Sequence, residues 1–128
     1  MYAVSIRYPR KPGEKFSFDH WAKVHMPMGL AIFCKVNRIA PVRVMIQHDT
    51  FGMDGEADST DAYATVWLIF DSREGLEGFM KLHNDPIASK PLADDFKNYA
   101  PLPPHISLGK IEEFGDVKSL IERGRALI

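Results

Sequence analysis

The chain has 128 residues, 45% hydrophobic and 26% charged, and its 16 basic and 17 acidic side chains leave a formal net charge of −1. One compact domain with a sizeable core is expected at this length. Charges interspersed along the chain, with no basic block, argue against nucleic acid or an anionic membrane surface as partner.

Cys34 is the single cysteine, which excludes an intrachain disulfide and points to a reducing, cytoplasmic setting. The first residues show no charged-then-apolar leader pattern. The longest apolar run, residues 62–70, is about half of what a membrane helix needs. Eight Phe, four Tyr, two Trp and six Met are many bulky groups for so short a chain, and something has to cover them.

Residues 2–8 alternate Tyr2, Val4, Ile6 and Tyr8 against Ala3, Ser5 and Arg7, the period of a strand. Pro9 and Pro12-Gly13 end it. Ser17 suits a helix N-cap, with Asp19 in the first turn, and a helix is expected from Phe18 towards Cys34, kinked or broken at Pro27. Cys34 is expected to be buried and inert there.

A second strand is expected over 39–48, an exposed Gly- and Asp-rich loop over 50–61, and a third strand over 62–70. Asp71 with Glu74 fits a capping box that opens a second helix to about Asn84, with Leu76, Phe79, Met80 and His83 on one face. Residues 85–104 carry five prolines and read as a long, partly irregular connection. A fourth strand follows over 105–112, and residues 115–128 suit a short amphipathic helix.

This β-α-β-β-α-β order is the ferredoxin-like α+β arrangement, a four-stranded antiparallel sheet with two helices on one face. The third strand is apolar on both sides, with Tyr63, Thr65, Trp67 and Ile69 opposite Ala64, Val66, Leu68 and Phe70. An uncovered apolar sheet face is unusual in a monomer, so pairing of two chains sheet to sheet is expected.

Phe18, Trp21, Ala22 and His25 fall on one stripe of the first helix at helical spacing. A histidine there is partly desolvated and stays neutral, a usable base near neutral pH, although a core histidine bonded to a backbone carbonyl is the commoner case. His83 on the second helix has the same two readings. His20 lies some 140° from His25 around an ideal α-helix, at about 100° per residue, so the pair is not read as a metal site. Tyr8, Tyr63 and Trp67 put polar tips on apolar strand surfaces. Arg7 and Arg43 sit mid-strand and suit pairing with a carboxylate across the sheet, the commoner case, or binding an acidic ligand. Walker, dinucleotide, nucleophile-elbow and HExxH patterns are all missing.

The run Phe18-Asp19-His20-Trp21-Ala22-Lys23-Val24-His25-Met26-Pro27-Met28 resembles the Phe-Asp-x-aromatic-x-x-x-His-x-Pro signature of EthD-domain proteins, within the dimeric α+β barrel group. Residues 43–48, 63–71 and 92–99 (with Phe96) resemble later parts of that family, so residues 1–114 are expected to form an EthD-like domain and 115–128 a tail.

The resemblance implies a homodimer or larger assembly of the same chain, a cavity between sheet and helices for a small hydrophobic molecule, and no metal or organic cofactor. It maps the motif histidine onto His25. It implies a cofactor-free enzyme acting on a hydrophobic, oxygenated metabolite (aromatic, polyketide-like or from ether degradation). His25 would move the proton, Tyr8 or Tyr63 would hold the oxyanion, and Phe18, Trp21, Met28, Trp67 and His83 would line the pocket. One alternative is a non-catalytic ligand-binding or accessory protein of a degradation pathway. Another follows from Trp67 and His83, which resemble residues of cofactor-independent and haem-degrading monooxygenases; those also use an asparagine on the first strand, where this chain has Ser5.

Overall fold

The computed structural model describes all 128 residues. The strands are β1 (Tyr2–Pro9), β2 (Arg43–Gln47), β3 (Ala62–Phe70) and β4 (His105–Lys110). They form one antiparallel sheet in the order β2-β3-β1-β4. The chain is thus α+β with the expected ferredoxin-like order. β2 is shorter than its apolar pattern suggests, since Pro41 lies in the segment before it and only Val42 N–H still reaches the ladder, at Ile69 O.

Along the helical side, α1 (Phe18–His20), a π turn (Trp21–His25) and α2 (Met26–Asn37) follow one another without interruption. Ser17 caps the start as expected, its side chain accepting from His20 N–H. Pro27 sits just past the π turn, where its missing N–H leaves a carbonyl of that turn without the usual helical partner, and the irregularity lies just before it. Cys34 is exposed, contrary to expectation, because α2 buries only Phe33 fully and turns Cys34 to solvent.

The next helix, α3 (Glu74–His83), lacks the expected capping box: Arg73 is the N-cap and its side chain makes no capping bond. Its buried face is also turned from the expected one, with Gly75, Leu76, Gly78 and Leu82 inside and Met80 and His83 exposed. Two glycines explain this. A Cβ at Gly75 would lie 2.1 Å from the Phe70 ring and one at Gly78 2.9 Å from Asn37 Cγ, so the helix presses closest where side chains are absent.

The 85–104 connection contains α4 (Lys90–Asp95) and a short 3₁₀ turn (Phe96–Asn98). The tail carries α5 (Val117–Arg125), capped by Asp116 and with no buried residue. No helix is long and apolar enough to cross a membrane.

The core lies between the sheet and the helices, around Val4, Tyr8, Val66, Phe70, Trp21, Phe33, Leu76 and Tyr99. The opposite sheet face is covered only in part. Ala3, Tyr63 and Ile69 are buried, Trp67 is half-buried, and Met45, its register partner on β2, is 43% exposed.

Candidate functional site

A cavity of about 320 Å³ lies between the sheet and α2, α3 and α4. Its walls are mostly aliphatic and aromatic: Ile6, Leu68 and Ile106 from the strands, Leu30 and Phe33 from α2, Phe79 from α3, Leu92 and Phe96 from the α4 region. Tyr8, His25, His83 and Tyr99 bring ring polar atoms to the lining.

The π turn decides what His25 does. Met26 N–H bonds Trp21 O, an i→i+5 closure, so residues five apart come onto one side of the helix as residues four apart do in an α-helix. His20 and His25 therefore meet on one carboxylate, Asp95. His25 Nδ1 lies 3.0 Å from Asp95 Oδ2 and His20 Nε2 lies 2.9 Å from Oδ1. Straight α-helical geometry had set the two rings on different sides, and the wider turn overturns that. Asn98 Nδ2 donates to the same Oδ1 at 3.0 Å.

Burial works against the Asp95 charge, but the bonds from Asn98, His20 and His25 prevail and hold its pKa below the usual carboxylate value. Burial pulls the His25 pKa below its usual value; the Asp95 contact opposes this in part, and the nearby His20 adds to the lowering. His25 is thus neutral near pH 7. Its Nδ1 hydrogen is fixed on Asp95, which leaves the Nε2 lone pair free on a ring that lines the cavity.

Tyr8 from β1 and Tyr99, just past the 3₁₀ turn, share a hydrogen bond of 2.9 Å between their hydroxyls. The Tyr99 ring lies 4.5 Å from that of His25, centroid to centroid. Ser17 N–H donates to Tyr99 O at 2.8 Å, tying this residue to the start of α1. Burial raises the pKa of both phenols: the Tyr99 and Trp21 contacts offset this in part at Tyr8, while Tyr8 and Asp95 push Tyr99 higher still. Both are neutral donors at any ordinary pH. The buried Trp21 indole N–H approaches Tyr8 without reaching full hydrogen-bond geometry to any partner.

Of the residues singled out from the sequence, Tyr8, His25 and His83 line this cavity, His83 as an exposed side chain. Trp67 belongs to the opposite face of the sheet, because alternate strand residues point to opposite sides and Val66 and Leu68 point inward. It therefore shares no pocket with His83, which removes the pairing on which the monooxygenase alternative rested. Trp21 packs in the core beneath the cavity, and Met28 points away from it, since α2 turns Met26, Gly29 and Leu30 inward.

Tyr63 and Phe18 line a second, more open hollow of about 450 Å³, together with Arg10, Glu14, His48 and Thr50. The Tyr63 hydroxyl lies 2.8 Å from Lys11 O and 2.9 Å from Glu14 O, and accepts from Lys11 N–H at 3.1 Å. It is a strut for the loop after β1 and not an oxyanion donor of the main cavity. Phe18 stacks on His48 at 4.0 Å.

Asp95, Tyr99 and His20 were the members not singled out. The segment around Asp95 looks like a Pro-broken connection, and His20 looks wrongly phased until the π turn is known. Pro27 was the available signal, since a helix irregularity one turn before a proline carries both histidines.

No family profile and no curated protein matches this sequence. Among solved structures it resembles an EthD-like protein of Ralstonia eutropha JMP134, with a TM-score of 0.63 and 19% identity over 90% of this chain and 95% of that one. It also resembles an ethyl tert-butyl ether (EthD) family protein of Bacillus halodurans C-125, with a TM-score of 0.58 and 18% identity over 88% of this chain and the whole of that one. The chain has the EthD-like fold. Within that fold, the His25-bearing segment lies on the helical layer and faces the apolar cavity.

Proposed function

We propose that this chain is an EthD-family enzyme without cofactor, moving a proton on a hydrophobic, oxygenated small molecule. One observation carries the reading: His25, with Nδ1 fixed by Asp95, offers Nε2 to an apolar cavity beside two neutral phenols. In the reaction, Nε2 takes a proton from a carbon next to a carbonyl. The C–H electron pair becomes the C=C of an enolate, and a Tyr8 or Tyr99 hydroxyl donates to the oxygen. Return of the proton, to the same or another carbon, completes exchange or isomerisation. Apolar walls keep water from competing for these bonds.

Exchange of ketone α-protons in D₂O, followed by NMR over a panel of cyclic ketones, tests the proposal. The wild type accelerates exchange and His25→Ala loses about 10²–10⁴-fold of it, the usual worth of one positioned acid–base group. Equal rates for the two proteins would sink it, and binding without exchange would favour a ligand-binding or accessory role.

The exposed Met45 beside half-buried Trp67 further supports a homodimer formed through the open sheet face. Light scattering at micromolar concentration should give twice the chain mass, and Met45→Lys should shift it towards monomer. A monomeric wild type would rule this pairing out.

A further inference from the structure

We propose that the cavity selects an uncharged ligand about two fused rings in size, with a single carbonyl or enol oxygen at its buried end, and that it rejects carboxylates. This rests on the proton-transfer reading for the role of His25, but the selection itself follows from the lining.

None of the twenty lining residues is Asp, Glu, Lys or Arg. A carboxylate entering the cavity would lose its water and meet no cation, which is strongly unfavourable. A fixed anion repels it further: Asp95 is bonded at 3.0 Å to the His25 ring that a ligand oxygen or carbon would approach. Lowered by burial, His25 supplies no compensating positive charge near neutral pH.

The polar groups are also unevenly distributed. Buried Tyr8 and Tyr99, with half-buried His25, supply them together at one end, whereas His83 is exposed and the Ser89 hydroxyl donates to Asp85 O. In the Tyr8–Tyr99 pair one hydroxyl donates to the other, and the acceptor's own proton is left for a ligand oxygen. One acceptor beside Tyr8 and Tyr99 is therefore matched, and a second polar group elsewhere on the ligand would meet mostly apolar wall.

Size follows from volume. An apolar cavity of about 150 Å³ holds one benzene, so the 320 Å³ here suits about two rings, with Phe33, Phe79 and Phe96 as flat neighbours.

Isothermal titration of the full chain at pH 7.5 with 2-tetralone and with 2-naphthoate tests this. Both probes are two-ring molecules; one is a neutral ketone and the other an anion. The wild type should bind 2-tetralone at least about tenfold more tightly. Ala93→Lys, at an exposed lining position where folding is not at risk, should raise 2-naphthoate affinity and narrow that ratio at least about threefold.

Equal or tighter binding of 2-naphthoate by the wild type overturns the proposal, as does no binding of 2-tetralone at millimolar concentration. An Ala93→Lys ratio unchanged from wild type overturns its electrostatic basis. Binding is read here without turnover. Tight 2-tetralone binding with no α-proton exchange would thus reject the enzymatic reading and leave the ligand class standing.

Discussion

Two hollows flank Phe16, whose ring lies 5.2 Å from Tyr8 and 5.8 Å from Tyr99 on one side and 6.4 Å from Tyr63 on the other. The second hollow is more open and has more polar groups, yet Arg10, Thr50 and Tyr63 among them are spent on one another and on loop backbone. Arg10 donates to Thr50 O at 2.9 Å and Thr60 Oγ1 at 3.0 Å and lies over the Tyr63 ring, while Tyr63 binds backbone on both sides of the loop. The cavity under α2 has few polar groups, and it leaves a histidine nitrogen and a phenolic proton unclaimed. Free hydrogen-bonding capacity in a dry place marks a site, more than polar content does.

The sharpest way to break this contrast is Asp95→Asn. It removes the acceptor that fixes the His25 tautomer, and the proposed exchange rate should fall about 10²–10³-fold, with ligand binding retained. The pH profile adds a direction. His25 has its pKa lowered by burial, so the wild-type acid limb should lie below about 6.5. Asp95 opposes that lowering, so its loss should move the limb to still lower pH. A limb that rises, or a rate unchanged, would mean Asp95 does not orient His25.

Linkage has the same signs for stability. The Asp95 carboxylate, with its folded pKa depressed, stabilises the fold above about pH 3.9, and this is lost as pH falls through the folded value. Neutral His25 adds an opposing cost once pH drops below about 6.5, because the unfolded chain then binds more protons.

The two strand tyrosines give the smaller and more diagnostic test. Tyr8→Phe should lower the exchange rate roughly tenfold or more with a modest loss of stability. Tyr63→Phe should leave the rate near wild type and cost about 1–2 kcal/mol in denaturant unfolding, because it frees loop carbonyls from their donor. If the two variants exchanged these effects, the site would belong to the other hollow.

Much of the fold is legible in the residues. Alternation marks β1, a continuous apolar run marks β3, Ser17 marks the helix start, and the element order leads to the sheet. Local pattern fails where a neighbour decides. Glycines at 75 and 78 turn α3 by letting Phe70 and Asn37 come close, and no capping box forms at Asp71. Cys34 is exposed although its helix is largely apolar. At the site, His25 and Tyr8 could be singled out from periodicity because each repeats on an apolar stripe. Tyr63 and Trp67 have the same chemistry and the same strand, but their β3 positions point to the other side of the sheet.

By itself, then, the sequence determined the α+β order, the apolar histidine of the first helix and the interspersed, nearly balanced charges, all local or compositional properties. Tertiary structure decided which groups meet. Asp95 reaches both histidines across 75 and 70 residues of chain, and Tyr99 reaches Tyr8 across 91. No local periodicity encodes such distances. They follow from packing the 85–104 connection over the sheet, and from one π turn that brings His20 and His25 to the same carboxylate.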